Sequence, residues 1–471
     1  MKIQNIEQKE DITMAFIKRD LTKLLASSFI LLMTLSACSK SDSVSSESAA
    51  SKTTEAAVET TETIDENYIH GEEGYYSSVD EGYGTEVGDQ KIDGRCGFFA
   101  SRTCAEINYN KKNGGKLLMD MNTIMNICAG PEKEDGIVVG NESYLMSVTG
   151  DLSYGDGYDG YFLDQISIYR KYEGGDGDIR WSNGLTIDEV KEFIRENGAI
   201  MADVRYISAS SEGMHYGYMT SVDFHSTDQL NHWVCIVGYD DNFPKEYFGQ
   251  VPEHDGAWLV QNSFGKSFGN DGYYWISYDS TIIYHSFYSV TDNYSEVLTY
   301  STGFPYARKS FGEDSSGACV FDHKGTLAGV GVYVRPNDID DDSDAAMVDA
   351  YNNAQFDVTV EVRDADMNEI ICSKDAHFDF EGYYVVEFDE PIEVEKYSIV
   401  VTYHNGLPIL FEGASFQKRP MVDYVTTGAP GQSFVLMDGE WVDVTDQKVI
   451  NAVGLEEGEP NDICVKAVYI A

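Results

Sequence analysis

Residues 231–240 read Asn231-His232-Trp233-Val234-Cys235-Ile236-Val237-Gly238-Tyr239-Asp240, and residues 257–262 read Ala257-Trp258-Leu259-Val260-Gln261-Asn262. Each holds an apolar run too short for a helix and rich in β-branched and aromatic residues, so each is expected to be a buried strand. His232 heads the first run and Asn262 ends the second. Antiparallel pairing would bring the imidazole beside the amide, whose oxygen accepts a ring N–H and fixes the tautomer.

An imidazole held in this way serves a nucleophile, and the cysteines supply candidates. Cys235, Cys372 and Cys464 lie inside apolar strand patterns, and Cys104 and Cys128 inside helical ones, so all five read as core thiols. Cys319 fits neither class. Cys96 differs: Asp93-Gly94-Arg95 precedes it, and the spacing of Phe99, Ala100, Thr103 and Ile107 predicts a helix from Cys96 to Asn110, stopped at Asn113-Gly114-Gly115. A thiol at a helix N-terminus feels the positive end of the dipole and loses its proton more readily. Gln90, six residues upstream, carries a side-chain amide able to donate to a developing oxyanion together with the Cys96 backbone N–H.

These three segments together resemble the papain-like (C1-type) cysteine peptidases. Asp89-Gln90…Gly94-Arg95-Cys96-Gly97-Phe98-Phe99…Glu106 is similar to that family's nucleophile segment, and Asn231–Asp240 to its His segment. Ala257–Asn262 with Ser263-Phe264-Gly265…Phe268-Gly269…Asp271-Gly272-Tyr273 is similar to its Asn segment. Cys96 and His232 stand 136 residues apart, inside the family's range. The resemblance implies Cys96 as nucleophile, His232 as acid/base, Asn262 as orienting residue and Gln90 as oxyanion donor. It departs at Gly97, where the family has an aromatic; at Asp93, where a Cys commonly stands; and at Phe264 and Phe268, where Trp is usual. Gly265-Lys266-Ser267-Phe268-Gly269 also fits the serine-hydrolase elbow, but that elbow needs a following helix, and Asn270-Asp271-Gly272 predicts a turn into a strand.

Around this centre the chain divides into parts. Lys18, Arg19 and Lys23 precede an apolar run from Leu24 to Leu35, too short to span a membrane, followed by Leu35-Ser36-Ala37-Cys38. Residues 1–38 therefore read as a secretory signal whose ending resembles a lipobox, which implies lipidation of Cys38. Residues 39–66, rich in Ser, Thr, Ala and Glu, read as a disordered tether. Residues 67–293 read as the α+β, two-lobed papain-like domain, with a second helix at Ile187–Asn197 capped by Thr186 and stopped by Gly198, and a strand at Tyr273–Tyr278. Residues 294–471 carry short alternating strands, among them Val330–Val334, Phe356–Arg363, Tyr383–Phe388, Tyr397–Tyr403 and Ile463–Ile470, with no helix expected between them. They read as an all-β, jelly-roll-like sandwich. This tail resembles the lectin-like domain of a bacterial extracellular subgroup of the family.

Composition narrows the partners. The 80 Asp and Glu against 33 Lys and Arg set a net charge of −47, which argues against nucleic acid and against anionic membrane surfaces. No Cys or His spacing offers a zinc site; the acidic runs Asp338–Asp344 and Gly155–Tyr161 could offer carboxylate oxygens to calcium but lack the spacing of an EF-hand loop and read as solvated loops, so neither metal nor cofactor is expected. The expectation is a cysteine endopeptidase outside the cell, anchored to the bacterial membrane through Cys38. It would act on peptide or protein substrates and meet a cell-surface glycan or protein through its C-terminal domain. Two other readings share the motifs: a catalytically silent scaffold serving as a surface adhesin or glycan-binding protein, and another acyl-transfer enzyme such as a transglutaminase or amidase.

Overall fold

The computed structural model describes residues 70–71, 73–91, 96–120, 160–175, 178–205, 214–215, 218–219, 230–300, 307–340, 342–413, 428–455 and 461–471. The signal, Cys38, the tether, Asp93, Cys128, Asp156 and Asp159 lie outside the described residues. Residues from Glu66 to Ala471 belong to one compact unit.

The principal elements of the first part are β1 (Tyr75–Ser77), α1 (Cys96–Asn113), β2 (Phe162–Ile168), β3 (Arg170–Gly175), β4 (Asp178–Asn183), α2 (Ile187–Asn197) and β5 (Ile200–Val204). They are followed by β6 (His232–Asp240), β7 (Ala257–Gln261), β8 (Tyr273–Ser277) and β9 (Ile282–Thr291). β6 has β7 antiparallel on one edge. On its other edge lie β5 at the His232 end and β1 at the Asp240 end. Pairing continues from β5 to β9 and from β9 to β2. After Asn262 the chain turns through Gly265–Asn270 into strand β8 rather than a helix, so the elbow motif is a strand connection.

α1 packs against β6 and β9. It is buried on nearly every side although it carries Ser101, Arg102, Thr103, Glu106, Asn108 and Asn110. Burial on that scale is tolerated because polar atoms of the helix find partners. Arg102 donates to the Glu86 carbonyl at 2.6 Å, Asn108 to the Asn197 carbonyl at 2.9 Å and Asn110 to the Tyr83 carbonyl at 3.2 Å. Glu106 accepts from Thr85 Oγ1 and from the Met119 N–H. α2 is the local case: Thr186 and Glu189 form a reciprocal capping box, and Gly198 closes the end at φ +94°.

The principal elements of the second part are β10 (Ser315–Val334), α3 (Ala345–Asn352), β11 (Phe356–Asp364), β12 (Ile370–Phe378), β13 (Glu381–Tyr403), α4 (Gln447–Val453) and β14 (Val465–Ile470). β13 pairs antiparallel with both β10 and β11 around a core that includes Val330, Val332, Val360, Ile399 and Val401. Three expectations are corrected here. The segments expected as separate strands at Tyr383–Phe388 and Tyr397–Tyr403 are one continuous strand. Two short helices interrupt the all-β pattern, each started by an aspartate whose side chain accepts an early backbone N–H: Asp344 for α3 and Asp446 for α4. Cys372 is half-buried on β12, which pairs with β11, and is not a core thiol. Asp338 pairs with Arg308 and Asp340 accepts from Ser343, so these carboxylates of the acidic loop already have protein partners.

The two parts share one sheet, because the start of β13 pairs with β2 over Glu381–Tyr384. Gly382 is required there: a Cβ would stand 1.9 Å from the Ile166 carbonyl oxygen. Beside this seam Glu381 reaches Arg335 at 3.4 Å and accepts from Tyr351 at 2.7 Å, while Arg170, partly buried, donates to His285 Nε2 at 3.1 Å. Burial pushes the Glu381 carboxyl up, and Arg335 and Arg170 outweigh it, holding it below the usual range. Arg donates only, so His285 Nε2 accepts and the proton sits on Nδ1. Replacing Glu381 by Gln leaves buried arginine charge without its counterion and is expected to cost about 3–5 kcal/mol, read from urea unfolding. An unchanged midpoint would show that the seam is not held electrostatically.

Candidate active site

Cys96 is the first residue of α1 and is half-buried. The helix it starts packs against the strand that His232 begins. His232 and Asn262 meet as expected: Nε2 lies 2.8 Å from Asn262 Oδ1, and both side chains are buried. The Ser263 N–H donates to the same Oδ1 at 2.8 Å, which identifies that atom as the oxygen. His232 Nε2 therefore carries the hydrogen, and the neutral ring keeps its lone pair on Nδ1.

This contact depends on an irregularity. From Asp240↔Ala257 to Gly238↔Leu259 the β6–β7 ladder is regular, and it then slips so that Ile236 faces Val260 and Cys235 faces Gln261. Without the slip, continued pairing would set Asn262 opposite Cys235, on the face away from His232. With it, Asn262 falls opposite Val234, which shares a face with His232. Gly238 sits at the slip, where β1 also comes close: a Cβ would stand 2.4 Å from the Tyr76 carbonyl oxygen. The glycine inside an otherwise apolar strand was the available sequence signal.

Gln90 arrives by a second ladder. Its N–H donates to the Ser263 carbonyl at 2.7 Å, and the Gly265 N–H donates to the Gly88 carbonyl at 2.9 Å. The Ser263 hydroxyl donates to Gln90 Oε1, which turns the amide so that Nε2 is the end presented away from Ser263. Ser263 thus touches both amides, a connection that reading the residues alone did not reveal. Phe264, one of the departures from Trp, stacks on the His232 ring at 4.8 Å and 18°, with Phe268 edge-on to it at 5.5 Å. A phenyl ring therefore shields the imidazole. Asp203, also missed from sequence, lies across from Trp233 on β5; burial pushes its carboxyl up to about 7 while the Trp233 indole opposes the shift.

Burial drives His232 down to about 4, with the Asn262 bond opposing the shift. The unfolded ring titrates near 6.5, so on acidification the unfolded chain takes up its proton first. The stability this residue contributes is complete above pH 6.5 and is lost between 6.5 and about 4, on the order of 3 kcal/mol. In a Cys96→Ala protein, where no thiolate can pair with the ring, NMR titration of His232 is expected to give a midpoint near 4. A midpoint near 6.5 would mean that the ring is solvated.

Comparison with known proteins follows the same two-part division. Residues 164–291 match the papain family cysteine protease model, a span that holds His232 and Asn262 and begins after Gln90 and Cys96. Residues 318–468 match the lectin like domain model. Human cathepsin L2 is 25% identical over 210 residues, covering 42% of this chain and 58% of that protein. Rat procathepsin L is 27% identical over 207 residues, covering 41% and 57%. The chain thus spans less than two thirds of these relatives. Among solved structures, the clostridial cysteine protease Cwp84 after propeptide cleavage aligns at TM-score 0.60 and 18% identity, over 84% of this chain and 98% of that one. The cysteine protease and lectin-like domains of Cwp84, a surface layer associated protein of Clostridium difficile, align at 0.58 and 16%, over 84% and 88%. At these identities the likeness shows the fold. The chain therefore has the papain-like fold, followed by a lectin-like, largely β domain.

Proposed function

We infer that this protein hydrolyses peptide bonds with Cys96 as nucleophile. The observation that carries the reading is the buried His232–Asn262 hydrogen bond, with the oxygen assigned by Ser263, because it leaves Nδ1 as the basic nitrogen. In the first step Cys96 transfers its proton to Nδ1 and the thiolate attacks the substrate carbonyl carbon. A buried imidazolium is costly alone, so proton transfer is favoured only with the thiolate beside it and the α1 N-terminus stabilising that thiolate. The oxyanion takes hydrogen bonds from Gln90 Nε2 and the Cys96 N–H. His232 then protonates the leaving amine, and a water deprotonated at Nδ1 releases the acyl group.

The proposed boundaries are a signal over 1–38, a tether over 39–66, a peptidase domain over 67–293 and a lectin-like domain over 294–471. Lipidation of Cys38 would hold the enzyme at the outer face of the membrane, with the tether lifting it from the lipid. A surface setting is in keeping with Cwp84, described as a surface layer associated protein. The lectin-like domain would engage a cell-surface glycan or protein and bring the peptidase to its substrates.

Treating the protein with an epoxide thiol-peptidase inactivator is expected to leave one adduct, on Cys96, that disappears when His232 is changed to Ala. Cys96→Ala should abolish turnover without moving thermal unfolding, and Gln90→Ala should lower kcat about 100-fold or more. Turnover that survives in Cys96→Ala would overturn the assignment.

A further inference from the structure

We propose that Cys104 and Cys235 form a modification site: a pair of core thiols that closes to a disulfide, joining the helix that carries Cys96 to the strand that carries His232. Both side chains are fully buried, and the proposed reaction uses neither. Their placement rests on the contacts around them. Thr103, adjoining Cys104, accepts from Gln261 Nε2 at 3.3 Å, and Gln261 is the partner of Cys235 across the β6–β7 ladder. Cys104 Sγ lies 3.6 Å from the Ala199 carbonyl oxygen, immediately before β5, whose Met201 is the partner of Cys235 on the other edge. Residues paired across antiparallel strands project to the same face, so Cys235 points to the side of the sheet on which Gln261 meets Thr103 of α1. Closing the bond brings the two sulfurs to about 2 Å.

The chemistry needs an oxidant, and a low-molecular-weight or protein disulfide supplies it. One deprotonated cysteine attacks a sulfur of the oxidant and expels a thiolate, leaving a mixed disulfide. The second cysteine, deprotonated in turn, displaces the remaining oxidant sulfur and forms the Cys104–Cys235 bond. The protein loses two electrons and two protons, and the oxidant disulfide is reduced to two thiols. In the folded chain burial pushes the Cys235 thiol well up, so little thiolate exists, and both sulfurs are closed off from an oxidant in solution. The bond therefore forms while α1 is still undocked from β6, and once formed it is shielded from reductants. Disulfides of this kind persist outside the cytoplasm, the setting proposed for this chain.

The position gives the bond a purpose. Cys104 lies about two helical turns beyond Cys96, and Cys235 three residues beyond His232, so the link would fix nucleophile and base elements at their closest packing. It closes a loop of about 130 residues, long enough to restrict the unfolded chain substantially.

The test uses the full chain and does not require peptidase activity, so it stands or falls apart from the catalytic reading. The protein is unfolded, refolded in glutathione and glutathione disulfide, alkylated under denaturing conditions and mapped without reductant. The expected product is a peptide pair joined through Cys104 and Cys235, lighter by two hydrogens than the sum of its parts, with Cys96 alkylated separately. The oxidised protein should melt about 5 °C above protein refolded in reductant, and a Cys104→Ala/Cys235→Ala variant should show no such difference. Full alkylation of Cys104 and Cys235 in refolded protein with native thermal unfolding would overturn the proposal, as would a link from either of them to Cys96.

Discussion

Strand β6 is the constraint on which the rest of the papain-like part depends. Both of its edges are paired, by β7 on one side and by β5 and β1 on the other, and α1 covers it. A strand so enclosed cannot slide, since a shift of one residue would turn its apolar side chains out of the core. Its single slip, between Ile236 and Gly238, is correspondingly costly to move. That slip decides which face of β7 meets His232, and so whether an asparagine or a glutamine stands beside the imidazole.

The buried helix α1 follows from the same enclosure. A helix with this many polar side chains would ordinarily lie at a surface. Here the strand-free segment from Tyr83 to Gln90 wraps it and supplies carbonyl acceptors for Arg102 and Asn110. The same segment then pairs with Ser263 and Gly265, so one stretch of chain satisfies the helix and delivers Gln90 to the Asn262 side of the site. Helix packing and site assembly are therefore one event. Disturbing Arg102 or Glu106 should be felt at Gln90 through backbone displacement rather than through charge.

The seam with the lectin-like domain is more than a tether. The sheet passes from β9 through β2 into β13, and Arg170 of the first part helps hold the Glu381 carboxyl of the second below its usual range. Trp233, next to His232, lies 5.8 Å from the His285 ring that Arg170 contacts. The lectin-like part thus pairs with β2, whose neighbour β9 carries the His285 ring that lies beside Trp233 of β6. This arrangement favours treating the two parts as one folding unit.

The sequence by itself determined what depends on neighbours along the chain: the capping box and glycine stop of α2, the helix beginning at Cys96, the strands around His232 and before Asn262, and the change to β pattern in the second half. Apolar period, cap chemistry and glycine conformation act over a few residues, so they can be read without a fold. Tertiary structure alone decided the slip in β6–β7, the junction of two expected strands into β13, the turning of Gln90 by Ser263, and the meeting of Arg170 with His285. Each of these joins residues far apart in the chain, and each is set by which surfaces remain to be buried once the local elements exist. Even the short helices α3 and α4, although capped by local aspartates, are too brief for an apolar period to announce. Their identity is settled by the packing of Val348, Tyr351, Val449 and Ile450 into cores that the rest of the chain creates.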